Sequence, residues 1–167
     1  AAARALSKTA FVAGGAYCGA RGMKNIAILG GGLMGNGITQ VTAQAGFNVT
    51  MVDISEELLA KSHKNIDKSI GKALAKMVEK GKMSEADANA QKEETMSRIK
   101  GIVSAEEAAS TADLVIEAVP ENLELKQKIF ASLDKVAPKE CIFASNTSSL
   151  KIKDIQATSS RGDRFAG

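Results

Sequence analysis

The sequence predicts an α/β fold with a doubly wound parallel sheet, on three observations. A short apolar run, a glycine-rich turn, a helical stretch and a second apolar run follow one another within IAILGGGLMGNGITQVTAQAGFNVTMVDI, residues 26 to 54. Further on, DLVIEAV and CIFAS are unbroken apolar runs, as expected of parallel strands covered on both faces. Between such runs the hydrophobic spacing changes to the helical period.

Taken in order, residues 25 to 30 read as a strand, 34 to 45 as a helix stopped by Gly46, and 47 to 52 as a second strand. The span from Glu56 to about Ile99 breaks the alternation. It is highly charged, with Leu58, Leu59, Ile66, Ile70, Leu74 and Met77 recurring on one side of a helix. Gly81 interrupts it, and Ser84 with Asp87 three residues on forms a capping-box start. Two antiparallel helices are therefore expected, an insertion that a simple strand–helix–strand crossover does not need. GIVSA is short and ambiguous but compatible with a strand, and Ala105 to Ser110 with a brief helix. DLVIEAV is a buried strand. Residues 122 to 136 form a helix with Leu123, Ile129, Phe130 and Leu133 as core contacts, CIFAS is the next strand and NTSSL a loop. The final RGDRFAG reads as irregular, with no closing helix or strand.

Composition bounds the function. Of 167 residues, 44% are apolar and 25% charged, as in an ordinary globular domain, and one tyrosine, no tryptophan and five phenylalanines require a largely aliphatic core. No apolar run is long enough to span a membrane. The net charge of +3 comes from the leader, AAARALSKTAFVAGGAYCGARGMK, which holds Arg4, Lys8, Arg21 and Lys24 and no acid. Without it, 18 basic groups face 19 acidic ones, which is no nucleic-acid footprint. An alanine- and arginine-rich, acid-free stretch over residues 1 to 24 is expected to be a mitochondrial transit peptide; a tail without an address is the alternative. Cys18 and Cys141 lack metal-ligand spacing, no metal is expected, and Cys141, opening an apolar run, reads as a buried inert thiol.

Gly30, Gly32 and Gly35 satisfy G-x-G-x-x-G, with a strand before, a helix after and an acid, Asp53, at the end of the next strand. Each glycine has a physical reason. Gly30 permits the tight turn, Gly32 removes a side chain that would block a pyrophosphate, and Gly35 lets helix and sheet approach closely. The helix N-terminus offers unpaired N–H groups to phosphate. Asp53 suits ribose hydroxyls and repels a 2′-phosphate, and ISEE after it adds acids, so NAD is expected rather than NADP. The arrangement is Rossmann-like. Leu33 and Met34 lie within the turn; Met34 either packs under the first helical turn or lines the cofactor cleft.

Ligands in such sheets bind beyond the C-terminal strand ends. After DLVIEAV, Glu121 and Lys126 could both reach the nicotinamide end, whereas Glu117 lies inside the apolar run and reads as packing or capping locally. After CIFAS, Ser145, Asn146, Thr147, Ser148 and Ser149 form either a capped turn or a binding loop. The one histidine, His63, falls on the charged hairpin and reads as a surface residue. Hydride transfer to a nicotinamide from an alcohol also needs a base for the hydroxyl proton. None stands at these strand ends.

GGGLMGNGITQVTAQAGFNVTMVD, DLVIEAVPENLELKQKIFASLDK, IFASNTSSL and DRFAG together closely resemble the short-chain L-3-hydroxyacyl-CoA dehydrogenases of mitochondrial fatty-acid β-oxidation, from residue 25 to residue 167. The resemblance implies a doubly wound NAD domain with a protruding helical hairpin, here 56 to 99, joined to an all-helical C-terminal domain that forms a homodimer. It implies that Gly30, Gly32, Leu33, Met34, Gly35, Asp53, Glu121, Lys126 and Ser148 contact NAD. Ser148 would also orient the substrate hydroxyl and the catalytic histidine, and Ser69 and Lys76 would contact coenzyme A. The implied reaction is oxidation of (S)-3-hydroxyacyl-CoA to 3-ketoacyl-CoA with NAD+ in the mitochondrial matrix. In the family, DRFAG leads into LHFFNP, whose histidine is the base. That segment lies beyond the 167 residues, so this stretch alone is expected to bind cofactor with little turnover. A 3-hydroxybutyryl-CoA dehydrogenase portion and a non-catalytic NAD- or CoA-binding module are the alternatives.

Overall fold

The computed structural model describes residues 22–167; the leader, including Cys18 and nearly all of the expected transit peptide, lies outside the described residues. The elements run β1 (Asn25–Leu29), α1 (Leu33–Gln44), β2 (Asn48–Val52), α2 (Glu56–Glu79), α3 (Glu85–Ser97), β3 (Ile99–Ile102), α4 (Ala105–Ala109), β4 (Leu114–Glu117), α5 (Leu123–Leu133), β5 (Ile142–Ser145), α6 (Ile152–Gln156) and β6 (Phe165–Ala166), with a 3-10 turn at Gly162–Arg164. Six parallel strands form one sheet in the order β3-β2-β1-β4-β5-β6. The chain winds outward from β1 in one direction, then returns and winds outward in the other. The switch lies between β1 and β4, the position beyond whose strand ends open α/β sheets bind their ligands.

Period-two alternation divides the strand side chains between two cores. Ala27, Leu29, Val115 and Phe143 face α4, α5 and α6 and pack with Phe130, Leu133 and Ile155. Ile26, Ile28, Val49 and Met51 face the other way and pack with Ala43 of α1 and Leu59, Ile66, Ile70 and Leu74 of α2. The second set shows why the long charged span is helical: its apolar residues return at intervals of three, four and seven, placing one stripe on the sheet. At about 1.5 Å per residue, α2 outruns the strand beneath it, and its last turns pack on α3 rather than on the sheet. Met77, expected on the apolar side, is accordingly 38% exposed. Caps set the helix starts: Ser55, Ser84, Ser104 and Asn122 each accept a backbone N–H three residues on. Ser84 also donates its hydroxyl to Asp87 at 2.7 Å, so the predicted reciprocal cap forms through side chains.

Three expectations need correction. The first strand stops at Leu29, because Gly30 turns to φ +99°, and the helix begins one residue early, at Leu33. The ambiguous third strand is Ile99–Ile102, displaced towards α3 from GIVSA. Residues 152–166 are not irregular: they supply α6, the 3-10 turn and β6, which pairs with β5 through Phe143–Phe165 and Ala144–Ala166. A two-residue strand carries no periodicity; it forms because Phe165 completes an aromatic cluster with Phe130 and Phe143, at centroid distances of 4.6 and 6.2 Å.

Arg161 holds this last segment down. Its guanidinium, buried over the Phe143 ring at 4.7 Å, meets the Asp134 carboxylate at 2.6 Å and the carbonyls of Ala137, Pro138 and Cys141. Burial pushes the Asp134 pKa up, but hydrogen bonds from Ser160 and Arg161 outweigh it and hold the group below its ordinary value. Cys141 is 1% exposed, and burial pushes its thiol up to about 11, as expected of an inert core thiol. Replacing one partner of a buried ion pair strands the other. Arg161→Met is expected to cost about 3–5 kcal/mol in a urea melt, with Asp134→Asn milder because an amide oxygen still accepts.

Candidate functional site

The glycine turn is built by close contact. A Cβ on Gly30 would stand 2.7 Å from the Ala118 carbonyl oxygen, and one on Gly35 would stand 1.7 Å from the Gly30 carbonyl oxygen. Both positions therefore exclude any side chain: the first lets β1 turn against β4, and the second lets α1 start directly on the turn. Gly32 is different. It is the N-cap of α1 in ordinary extended geometry, and a Cβ there would meet nothing within 4 Å. The protein leaves space over the helix N-terminus, where unpaired N–H groups converge.

A glycine outside the motif is as constrained. A Cβ on Gly31 would lie 2.5 Å from the Ser62 hydroxyl and 2.7 Å from an Asp53 carboxylate oxygen. The Gly31 N–H donates to Asp53 Oδ2 at 2.8 Å, and the buried Ser62 hydroxyl donates to the Gly31 carbonyl at 2.9 Å. Asp53, at the end of β2, takes a second bond from the Ile54 N–H at 2.7 Å. Thus Asp53 stands beside the turn, and α2 clamps the turn through Ser62. Sequence reading missed Gly31 and Ser62. The extra glycine in GGGLMG was the only available sign of the first; the second shows only when α2 folds back.

Of the residues within the turn, Leu33 is 90% exposed and Met34 55%, so Met34 is not packed under the helix. Leu33 joins Gly32, Asn36, Gln40, Lys61 and Ser69 around a cavity of about 430 Å³ between α1 and α2. Ser69 is thus brought to the glycine turn. Lys76 is exposed two turns further along α2, away from that cavity. His63 is exposed on α2, as expected.

Beyond β4 and β5 the residues form one bonded chain. Lys126 and Glu117 are both fully buried, with the ammonium 2.8 and 2.9 Å from the two oxygens of Glu117. Lys126 also meets Glu121 Oε2 at 3.0 Å. Lys126 therefore does not line an open cleft; it lies beneath Glu121 with its three N–H donors directed at two carboxylates. Glu117, read from sequence as a local packing or capping group, is the centre of the network: it also accepts from the Ser145 hydroxyl at 2.5 Å and the Val119 N–H at 2.7 Å. An acid inside an apolar run gave no hint of this, because its partner lies one helix away. Glu121 is the exposed end. Its Oε1 takes the hydroxyls of Thr147 and Ser149, the latter at 2.8 Å. Ser148, between them, is exposed and makes no hydrogen bond among the described residues. The NTSSL loop is thus both a capped turn and the support of an acid.

The Thr147 hydroxyl, then Lys126 and Ser149, lower the Glu121 pKa from 4.5 to about 2. A depressed folded-state value means the network's contribution is whole above pH 4.5 and is lost as pH falls towards 2. The Glu121 carboxyl, followed by NMR, is expected to titrate near 2, and Thr147→Val to raise that midpoint towards 4.5.

Among the described residues no helix is long and apolar enough to cross a membrane, and no three metal-ligating side chains cluster. The family described as "3-hydroxyacyl-CoA dehydrogenase, NAD binding domain" matches residues 25–167. The mitochondrial hydroxyacyl-coenzyme A dehydrogenase of Rattus norvegicus is 44% identical over 147 residues, 87% of this chain and 45% of that protein. A probable 3-hydroxybutyryl-CoA dehydrogenase of Bacillus subtilis is 40% identical over 145 residues, 87% of this chain and 47% of that protein. The crystal structure of the (S)-3-hydroxybutyryl-CoA dehydrogenase PaaH1 from Ralstonia eutropha superposes with a TM-score of 0.74 at 40% identity, covering 86% of this chain and 48% of that one. The chain spans about half the length of these relatives. With a glycine turn, an acid at the end of the second strand and a switch point of this form, residues 25–167 belong to the family of 3-hydroxyacyl-CoA dehydrogenase NAD-binding domains.

Proposed function

We propose that residues 25–167 serve an NAD-dependent dehydrogenase that oxidises (S)-3-hydroxyacyl-CoA to 3-ketoacyl-CoA in mitochondrial fatty-acid β-oxidation. The observation that carries the cofactor reading is the open space at Gly32 over the start of α1, with Asp53 bonded to the turn from the end of β2 and Glu121 following β4, the strand on the other side of β1. Neighbouring strands lie about 4.8 Å apart, so the ends of β2, β1, β4 and β5 form a row about 14 Å long. Asp53 would hold the adenosine ribose of a dinucleotide, the α1 N–H groups its pyrophosphate, and Glu121 and Ser148 its nicotinamide ribose. Asp53 disfavours a 2′-phosphate. Leu33 and Met34 offer apolar cover to the cofactor.

The cofactor held by these residues would supply the acceptor for the hydride leaving the hydroxyl-bearing carbon. The chain's own residues bind and orient: Glu121 holds the cofactor, Lys126 holds Glu121, and Ser148, with its hydroxyl unbonded, orients the substrate oxygen. His63 is exposed on α2 and takes no part in the bonded group around Glu121, so the proton is taken by a base that the 25–167 domain does not supply. On this reading the 25–167 domain alone turns over little. Ser69, in the cavity beside the turn, and Lys76 on the same helix face take the coenzyme A portion, with the Lys76 ammonium available to a phosphate. The transit peptide over residues 1–24, the matrix address and a homodimer formed through a helical domain belong to the same proposal. The relatives' mitochondrial names support the address. A narrower preference for 3-hydroxybutyryl-CoA is favoured by the Bacillus and Ralstonia relatives.

Gly32→Val separates a binding turn from a structural one. No protein atom opposes the new side chain, so its melting free energy is expected to stay within about 1 kcal/mol of the parent. NADH affinity, read by fluorescence titration, is expected to fall at least 100-fold. Unchanged NADH binding would make the turn structural. Asp53→Ala is expected to narrow the preference for NADH over NADPH in the same assay.

A further inference from the structure

Two carboxylates and one ammonium make up the buried chain at the end of β4: Glu117, Lys126 and Glu121. The two members that are fully buried neutralise one another. The ammonium, the Ser145 hydroxyl and the Val119 N–H all donate to Glu117. Lys126 would otherwise lie 3.0 Å from Glu121 as an uncompensated cation and cancel its charge. With Glu117 beneath, the group as a whole carries one negative charge, and the exposed carboxylate of Glu121 is where that charge meets solvent and ligand. The two redox forms of a nicotinamide differ by one positive charge on the ring. A fixed negative charge therefore binds the oxidised form more tightly than the reduced one.

We propose that Glu117 is a positioning residue that sets the redox-form preference of the site: by neutralising Lys126 from below, it leaves Glu121 with a net negative charge that favours NAD+ over NADH. The inference rests on the cofactor reading above, in which the nicotinamide end of the dinucleotide lies against Glu121. It gives the buried pair a role distinct from stability. A buried ion pair contributes little to stability compared with a neutral pair of the same shape, whereas here its removal changes the charge of the site.

The test measures NAD+ affinity by calorimetry and NADH affinity by fluorescence for the protein, Glu117→Gln and the double variant Glu117→Gln/Lys126→Met, with circular dichroism melts as the folding control. Glu117→Gln makes the group neutral. The ratio of NAD+ to NADH affinity is expected to fall about five-fold, the scale of one screened charge interaction near a protein surface, chiefly through weaker NAD+ binding. The double variant removes both buried charges and leaves Glu121 negative, so its ratio is expected to return to that of the parent. A merely structural role would weaken both cofactors by the same factor. Equal weakening in Glu117→Gln, an unchanged ratio, or a double variant that does not recover would overturn the proposal. Should the single variant not fold, Glu117→Met, which makes the same change of charge, takes its place: a reduced ratio supports the proposal and an unchanged one overturns it. A folded parent protein that binds neither cofactor would sink the underlying site reading, and the inference with it.

Discussion

Everything at the cofactor end depends on how closely β1 and α1 can approach β4. Gly30 bends away at a positive φ, with its α-carbon against the Ala118 carbonyl, and Gly35 lies directly over the Gly30 carbonyl. One methyl group at either place would separate the helix from the sheet. Because they touch, the α1 N-terminus opens at the switch point of the sheet rather than beside it. Gly31 and Gly32 then divide the remaining work. Gly31 is hydrogen-bonded on both sides, to Asp53 and to Ser62, and makes the turn rigid. Gly32 is left bare and makes it available.

The inserted hairpin follows from the same constraint. Its first half is a sheet-covering helix, with Leu59, Ile66 and Ile70 in the core and Ser62 bonded to the turn. Its far end overhangs, and α3 brings the chain back to β3 at the sheet edge. Cofactor turn and hairpin are therefore one mechanical unit. The cavity between α1 and α2 lies where the two meet, with Ser69 on its wall. On the other side of the switch, buried charge does the equivalent work. Glu117 and Lys126 tie β4 to α5, and Glu121 ties that unit to the loop after β5 through Thr147 and Ser149.

Most of the architecture was legible along the chain. The strand–turn–helix–strand unit, the split helical insertion and the later apolar strands all announce themselves by local period, and Ser84 with Asp87 marks a helix start that forms. The short elements were not legible. β6 has two residues and exists because Phe165 finds Phe130 and Phe143, and Arg161 finds the Asp134 carboxylate and five carbonyls, contacts that span twenty residues or more. The candidate site divides in the same way. Gly30, Gly32, Gly35 and Asp53 could be named from spacing, while Gly31 and Ser62 could not. Lys126, expected in an open cleft, lies sealed beneath Glu121, and Glu117, which reads in sequence as local packing, accepts four hydrogen bonds from three groups.

By itself the sequence determined which segments become strands and helices, where a glycine turn opens into a helix, and that an acid would follow on the next strand. Hydrophobic period and glycine's missing side chain act over a few residues, so a linear reading captures them. Only the tertiary structure decided which charges neutralise which, and which hydroxyls hold Glu121. Those partners come from different strands and helices, and a carboxylate's role depends on which donors surround it once water is gone.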